Sequence, residues 1–179
     1  MEILIKTENF FIRPFDINDV DDVYTSWGKD EKMYNNLTLS YPSSKSEMKS
    51  NLGWWIDAYD LDSYNWCFSI VKDNHSIGFI RMYDYKNIAG GIVNVECGLS
   101  SSEWNKGYMS ECLLSFMKHI LLKFKINRIE ARCDLENKSI IRVLEKCGMV
   151  KEGVSRSSGE NNSKKLYDEV VFSLLRKDI

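Results

Sequence analysis

The chain has 179 residues, 44% of them hydrophobic and 12% aromatic, with a formal net charge of −2 and a pI near 5.8. That length and apolar content suffice for one full core, so residues 1–179 read as a single domain, and the near-neutral charge supplies no electrostatic footprint for nucleic acid. The cysteines Cys67, Cys97, Cys112, Cys133 and Cys147 stand singly without Cys-x-x-Cys spacing, and no apolar run approaches a membrane span, so a cytoplasmic protein without disulfides, metal site or membrane contact is expected.

In chain order, residues 10–15 read as a first strand that ends at Pro14, which cannot donate to a ladder. Asp16 then caps a helix through about Trp27, with Val20, Val23, Tyr24 and Trp27 on its buried face. Residues 30–39 read as a short helix and loop, and residues 45–59 as a helix that turns Met48, Leu52, Trp55, Ile56 and Tyr59 inward. Residues 64–71 and 76–83 are two strands joined by the hairpin-type turn Lys72-Asp73-Asn74-His75.

The apolar, β-branched run 92–99 closes on three serines and reads as a buried strand. From Tyr108, apolar residues recur at three- and four-residue intervals, giving a helix over 106–124. Another strand follows at 128–133, then a helix over 137–146 stopped by Gly148 in the C′ role, then two strands at 149–155 and 165–175 across the loop 157–163. This order is an α+β arrangement, a mixed and mostly antiparallel central sheet flanked by helices.

Between the strand 92–99 and the long helix lies Trp104-Asn105-Lys106-Gly107-Tyr108. A strand that runs through a short glycine-containing turn into a helix aims unpaired N–H groups and the positive helix end at one point, which suits a phosphate. Gly107 permits close backbone approach, and Lys106 adds charge. On the turn alone, an ordinary strand-to-helix connection is the better reading, since one glycine is a weak signal.

The run Trp104-Asn105-Lys106-Gly107-Tyr108-Met109-Ser110-Glu111 resembles the acetyl-CoA pyrophosphate loop of the GNAT superfamily of N-acetyltransferases, usually Gln/Arg-x-x-Gly-x-Gly/Ala. It is most similar to the branch of ribosomal-protein N-terminal acetyltransferases, where an aromatic residue often opens the loop. Trp104 replaces Gln/Arg and Met109 replaces the small last residue, but neither change removes a backbone N–H. The start at residues 11–15 and the stretch from Asn137 through Glu145-Lys146-Cys147-Gly148-Met149 also resemble family motifs, in register and order.

The resemblance implies a domain that takes acetyl-CoA and an amine acceptor, either a protein N-terminal α-amine or a small amine. Homodimers are frequent in similar proteins. It implies that the loop residues 104–110 hold the pyrophosphate and that backbone groups of Cys97 and Leu99 pair with the pantetheine arm as an added strand. Asn137 would contact a pantetheine amide or hold a water. Glu96, the one carboxylate of its strand, is the candidate general base; related sequences often carry that acid two residues earlier, where this chain has Asn94. Glu160, in the last hairpin, is a weaker second candidate, and Trp54 and Trp55 stand where an acceptor groove would be walled, with core packing the expected fate of at least one of them.

Thiolate protonation departs from the family, whose serine or tyrosine is replaced here by Ile140 and Leu144. Ser139, one residue earlier and about 100 degrees around the helix, is the nearest substitute, with water as the alternative. A non-catalytic CoA-binding module and a mononucleotide-binding α/β protein are the competing readings.

Overall fold

The central strands are near-continuous apolar runs, as suits a sheet covered on both sides, and the sheet buries a different core on each face. The computed structural model describes residues 3–35, 37–61, 64–88, 90–161 and 164–179. Its strands are β1 (Ile5–Lys6), β2 (Phe11–Pro14), β3 (Trp66–Lys72), β4 (His75–Lys86), β5 (Ile92–Leu99), β6 (Arg128–Asp134), β7 (Val150–Glu160) and β8 (Leu166–Leu175). They form one eight-stranded sheet in the order β1-β2-β3-β4-β5-β6-β8-β7. All neighbours are antiparallel except β5 and β6.

On one face, Val93, Val95 and Leu99 of β5 pack with Phe116, Met117 and Ile120 of α4 (Tyr108–Lys123) and Leu144 of α5 (Lys138–Lys146). The seven buried residues of α4 are those its sequence period selects, and each contributes about 1.5–3 kcal/mol by leaving water. On the other face, Cys67 and Phe79 pack with Trp27 and with Met48 and Leu52 of α3 (Lys45–Asp57). The short helices α1 (Val20–Val23) and α2 (Glu31–Tyr34) lie on this second side, where Val23 and Tyr34 join that core.

One break in the sheet positions the site. β5 pairs with β6 only through Ile92–Asn94 against Arg128–Glu130, whereas β6 continues beside β8 to Asp134. Beyond Asn94 the two parallel strands part, and Val95–Leu99 keeps β4 as its single strand neighbour.

Several boundaries differ from the sequence reading. Asp16 does cap the first helix, its carboxylate accepting from Asn18 N, but the helix is three pieces: a 3-10 turn at Ile17–Asp19, α1, and a π turn at Tyr24–Gly28. The widened turn ends with Trp27 fully buried, its indole N–H donating to Ser76 Oγ at 3.0 Å. β4 continues to Lys86 through a bulge at Asp84, and β7 reaches Glu160 through another at residues 156–158, so pairing resumes at Gly159 and Tyr167. The expected loop 157–163 therefore shrinks, and two of its residues, Asn162 and Ser163, lie outside the described residues. β1 has no counterpart in the sequence reading because two residues carry no period.

Candidate active site

Ser100 N donates to Ile77 O at 2.9 Å, which makes these residues a hydrogen-bonded pair of the β4–β5 ladder. Such pairs alternate in antiparallel sheet, so Glu96 and Gly98 turn their N–H and C=O toward β4. Val95, Cys97 and Leu99 turn theirs the other way, onto the side where no strand follows. The Leu99 carbonyl is already taken: Trp104 Nε1 donates to it at 2.8 Å, which ties the loop to the end of β5. The N–H and C=O of Cys97 and the N–H of Leu99 are left as an open strand edge.

That edge runs into the start of α4. Gly107 is the N-cap, in the left-handed region at φ 82°, and no side chain caps the helix. The first bonds of the helix run from Ser110 N and Glu111 N to Gly107 O. Among the described residues, the amides of residues 105–109 donate to no protein group. Asn105 is also left-handed at φ 62°, a conformation asparagine tolerates, and left-handed residues interleaved in such a turn suit the concave arrangement of amides that can bind an anion. A Cβ placed on Gly107 would meet nothing within 4 Å, so the space over the turn is open.

A cavity of about 480 Å³ brings together Glu96, Cys97, Leu99, Trp104, Asn105, Gly107, Tyr108, Met109, Ser110, Asn137 and Ser139. Lys106 does not line it. Its ammonium lies 3.1 Å from Glu103 Oε2 and 5.8 Å from the Tyr108 ring centre, so it offers the cavity only its amide. Asn137 caps α5, Oδ1 accepting from Ile140 N at 3.3 Å, and its amide nitrogen has no protein acceptor among the described residues. Ser139 lies exposed on the first turn of α5, with no protein partner for its hydroxyl among the described residues.

Cations on the wall were missed in the sequence. Lys32, Arg132, Arg142 and Lys146 also line the cavity; Arg132 lies 3.6 Å from Glu130 Oε2, and the other three are in no ion pair among the described residues. The signal was present: Ser139, Arg142 and Lys146 fall at three- and four-residue spacing, one stripe of α5. Burial pushes the Cys97 thiol well above its ordinary range and the Cys133 thiol up to about 12. Burial of this kind favours the thiol over the thiolate, so neither cysteine is given a nucleophilic role.

Glu96 sits on the face opposite Cys97, with its carboxylate nearly buried at 12% exposure. Arg81 Nε donates to Oε2 at 2.7 Å, Thr38 N to Oε1 at 2.6 Å, and the Thr38 hydroxyl to Oε2 at 3.1 Å. Arg81 Nη2 in turn donates to the Thr38 hydroxyl. The sequence placed an isolated acid here; the fold surrounds it with a guanidinium and a loop amide that no local pattern announces. Asn94 shares this face, and its Oδ1 is buried without a protein donor among the described residues. Glu160 is outside the cavity and pairs with Lys164 at 2.8 Å.

Residues 9–150 match the family model described as an acetyltransferase (GNAT) domain. The chain is 28% identical over 180 residues to an uncharacterized N-acetyltransferase, p20, of Bacillus licheniformis, covering 97% of both. Among solved structures, it resembles the RimL ribosomal-protein α-N-acetyltransferase in complex with coenzyme A, with a TM-score of 0.87, 18% identity and 97% and 98% of the chains covered. It also resembles the microcin C7 self-immunity acetyltransferase MccE in complex with acetyl-CoA and AMP, with a TM-score of 0.85, 13% identity and 94% and 93% covered. No helix among the described residues is long and apolar enough to cross a membrane.

Proposed function

Because this chain belongs to the GNAT acetyltransferase family and is an N-acetyltransferase, we propose that residues 1–179 form one cytoplasmic enzyme that takes acetyl-CoA as donor and acetylates a protein N-terminal α-amine. The observation that carries this reading is the continuity, inside one cavity, of an unpaired strand edge at Cys97 and Leu99 with the uncapped amides of residues 105–109.

Acetyl-CoA supplies a diphosphate, an arm with two amides, and a thioester. The amides of 105–109 grip the diphosphate, with Arg142 and Lys146 as counter-charges on the facing wall. Cys97 and Leu99 align the arm through backbone groups, and the Cys97 N–H polarises the acyl carbonyl. Glu96 accepts a proton from the acceptor ammonium, directly or through water, and Arg81 and Thr38 hold it in place. Ser139 or water returns a proton to the leaving thiolate. Most of the acceleration comes from holding amine and thioester together, which suits a site with few acid–base groups.

The test is CoA release with acetyl-CoA and a panel of acceptors: N-terminal peptides, polyamines and free amino acids, beside calorimetric binding of CoA. Turnover of peptides above all other amines is the expected result. Turnover confined to a polyamine or amino acid moves the acceptor to the small-amine class, and tight CoA binding without turnover on any amine makes the chain a binding module.

A further inference from the structure

A second cavity, of about 370 Å³, lies on the other side of Thr38, between α3 and the loop that follows α2. Thr38 is part of its wall, and the same residue gives its N–H and hydroxyl to Glu96 in the first cavity. One residue therefore separates this cavity from the carboxylate beside the transfer site.

The wall contributed by α3 is unusual for a helix packed on a sheet. Glu47, Asn51 and Trp54, four and three residues apart, share a face and line the cavity beside Trp55. Trp55 is half-buried, its ring 5.2 Å from Phe15 and 6.4 Å from Phe79, so packing accounts for it. Trp54 is 78% exposed, and among the described residues its indole has neither a ring partner nor a hydrogen bond. Nothing in the core explains an indole in that position.

Glu47 is fixed rather than mobile. Its Oε2 accepts from Ser43 N at 2.7 Å and from the Ser43 hydroxyl at 2.6 Å, while the cap of α3 is separate, Ser44 Oγ accepting from the Glu47 backbone N–H at 3.2 Å. The bonds to Ser43 use that one carboxylate oxygen. Oε1, the Asn51 side-chain amide and the Trp54 indole have no protein partner among the described residues, although all belong to residues that line one cleft. A held carboxylate and an exposed indole on the wall of one cavity suit a cation, through an ion pair with the one and the ring quadrupole of the other.

We propose that this cavity is a specificity pocket for a positively charged side chain of the acceptor, a Lys or Arg at the second position of the peptide whose N-terminal amine is acetylated. The cation lies on Trp54 and pairs with Glu47 Oε1, while the α-amine passes Thr38 to reach Glu96. This inference rests on the N-terminal acetyltransferase reading above and adds the sequence class of its peptide.

The test compares hexapeptides that differ only at the second residue, Ala-Lys, Ala-Gln and Ala-Glu, by CoA release with the wild-type enzyme, Glu47→Gln and Trp54→Ala. The α3 cap uses the backbone N–H of residue 47 and glutamine can still accept from Ser43, so Glu47→Gln removes charge and leaves the helix start in place. In the wild type, kcat/KM for the Lys peptide exceeds that for the Gln peptide by about tenfold, with the Glu peptide lowest. In both variants the Lys/Gln ratio falls to within about threefold of one. A wild-type ratio of one, or a preference that survives both substitutions, overturns the pocket while leaving the acetyltransferase reading intact. Should no peptide be turned over, fluorescence titration with the Lys peptide decides: quenching in the wild type that is lost in Trp54→Phe and Glu47→Gln supports the pocket and removes the N-terminal acceptor, and absence of quenching removes both.

Discussion

Arg81 Nε lies 2.7 Å from Glu96 Oε2, and the two residues are direct cross-strand partners on β4 and β5, with side-chain exposures of 18% and 12%. Replacing Arg81 with Met strands a nearly buried carboxylate, so Arg81→Met is expected to cost about 3 kcal/mol in urea unfolding. Adding Glu96→Gln to Arg81→Met removes the stranded charge and restores part of that loss. Costs that simply add in the double variant would show that the pair is not coupled.

Glu96→Gln by itself separates the chemical role of this residue from its structural one. The amide still accepts from Thr38 N, so the loop after α2 stays tied to β5. As general base, Glu96 predicts a turnover loss of about 100-fold or more with CoA affinity unchanged. A variant whose kcat and pH profile match the wild type would move the base elsewhere.

Gly107 has a backbone conformation that side chains rarely adopt, at φ 82°, and the space beside it is open. Gly107→Val brings a strain of about 1–2 kcal/mol and places methyl groups over the amides of 105–109. Loss of CoA binding by calorimetry, well beyond what a small fall in Tm explains, is the expected outcome. Unaltered CoA affinity would remove the loop from the donor site.

Acid stability has a recognisable contributor far from the cavity. Hydrogen bonds from the Arg128 guanidinium and the Ser173 hydroxyl lower the Glu152 carboxyl from 4.5 to about 2. A depressed folded-state value means that the group stabilises the fold above pH of about 4.5 and loses that stabilisation as pH falls toward about 2. The carboxylate is 40% exposed, so solvent screening keeps the effect under about 1 kcal/mol. Denaturant midpoints of wild type and Glu152→Gln should differ at pH 6 and converge at pH 2 to 3.

Long, strongly periodic segments were legible to within a residue or two. β5 occupies the expected span, and α4 starts two residues late because Gly107 is left-handed. Turn-forming residues misled where a partner strand overrode them: Ser157 and Ser158 read as loop, yet β7 runs through them in a bulge against β8. The helix after Asp16 kept its cap and its buried Val20, Val23 and Trp27 but not its regularity.

The geometry proposed for the cofactor side is local. Uncapped amides, a left-handed glycine and a strand leading into a helix are all properties of one stretch, so residues 104–110 could be put forward from a motif resemblance before the fold was known. The side of β5 toward which Cys97 and Leu99 present their backbone groups depended on ladder register. The partners of Glu96 came from β4 and from a loop 58 residues away, and the cavity beside Thr38 is walled by residues 34–55, where that loop folds back along α3. Sequence determines what short-range geometry and hydrophobic period can specify; the charge partners and cavity walls were decided by tertiary packing, since the Coulomb and hydrogen-bond terms that join them act between neighbours in space.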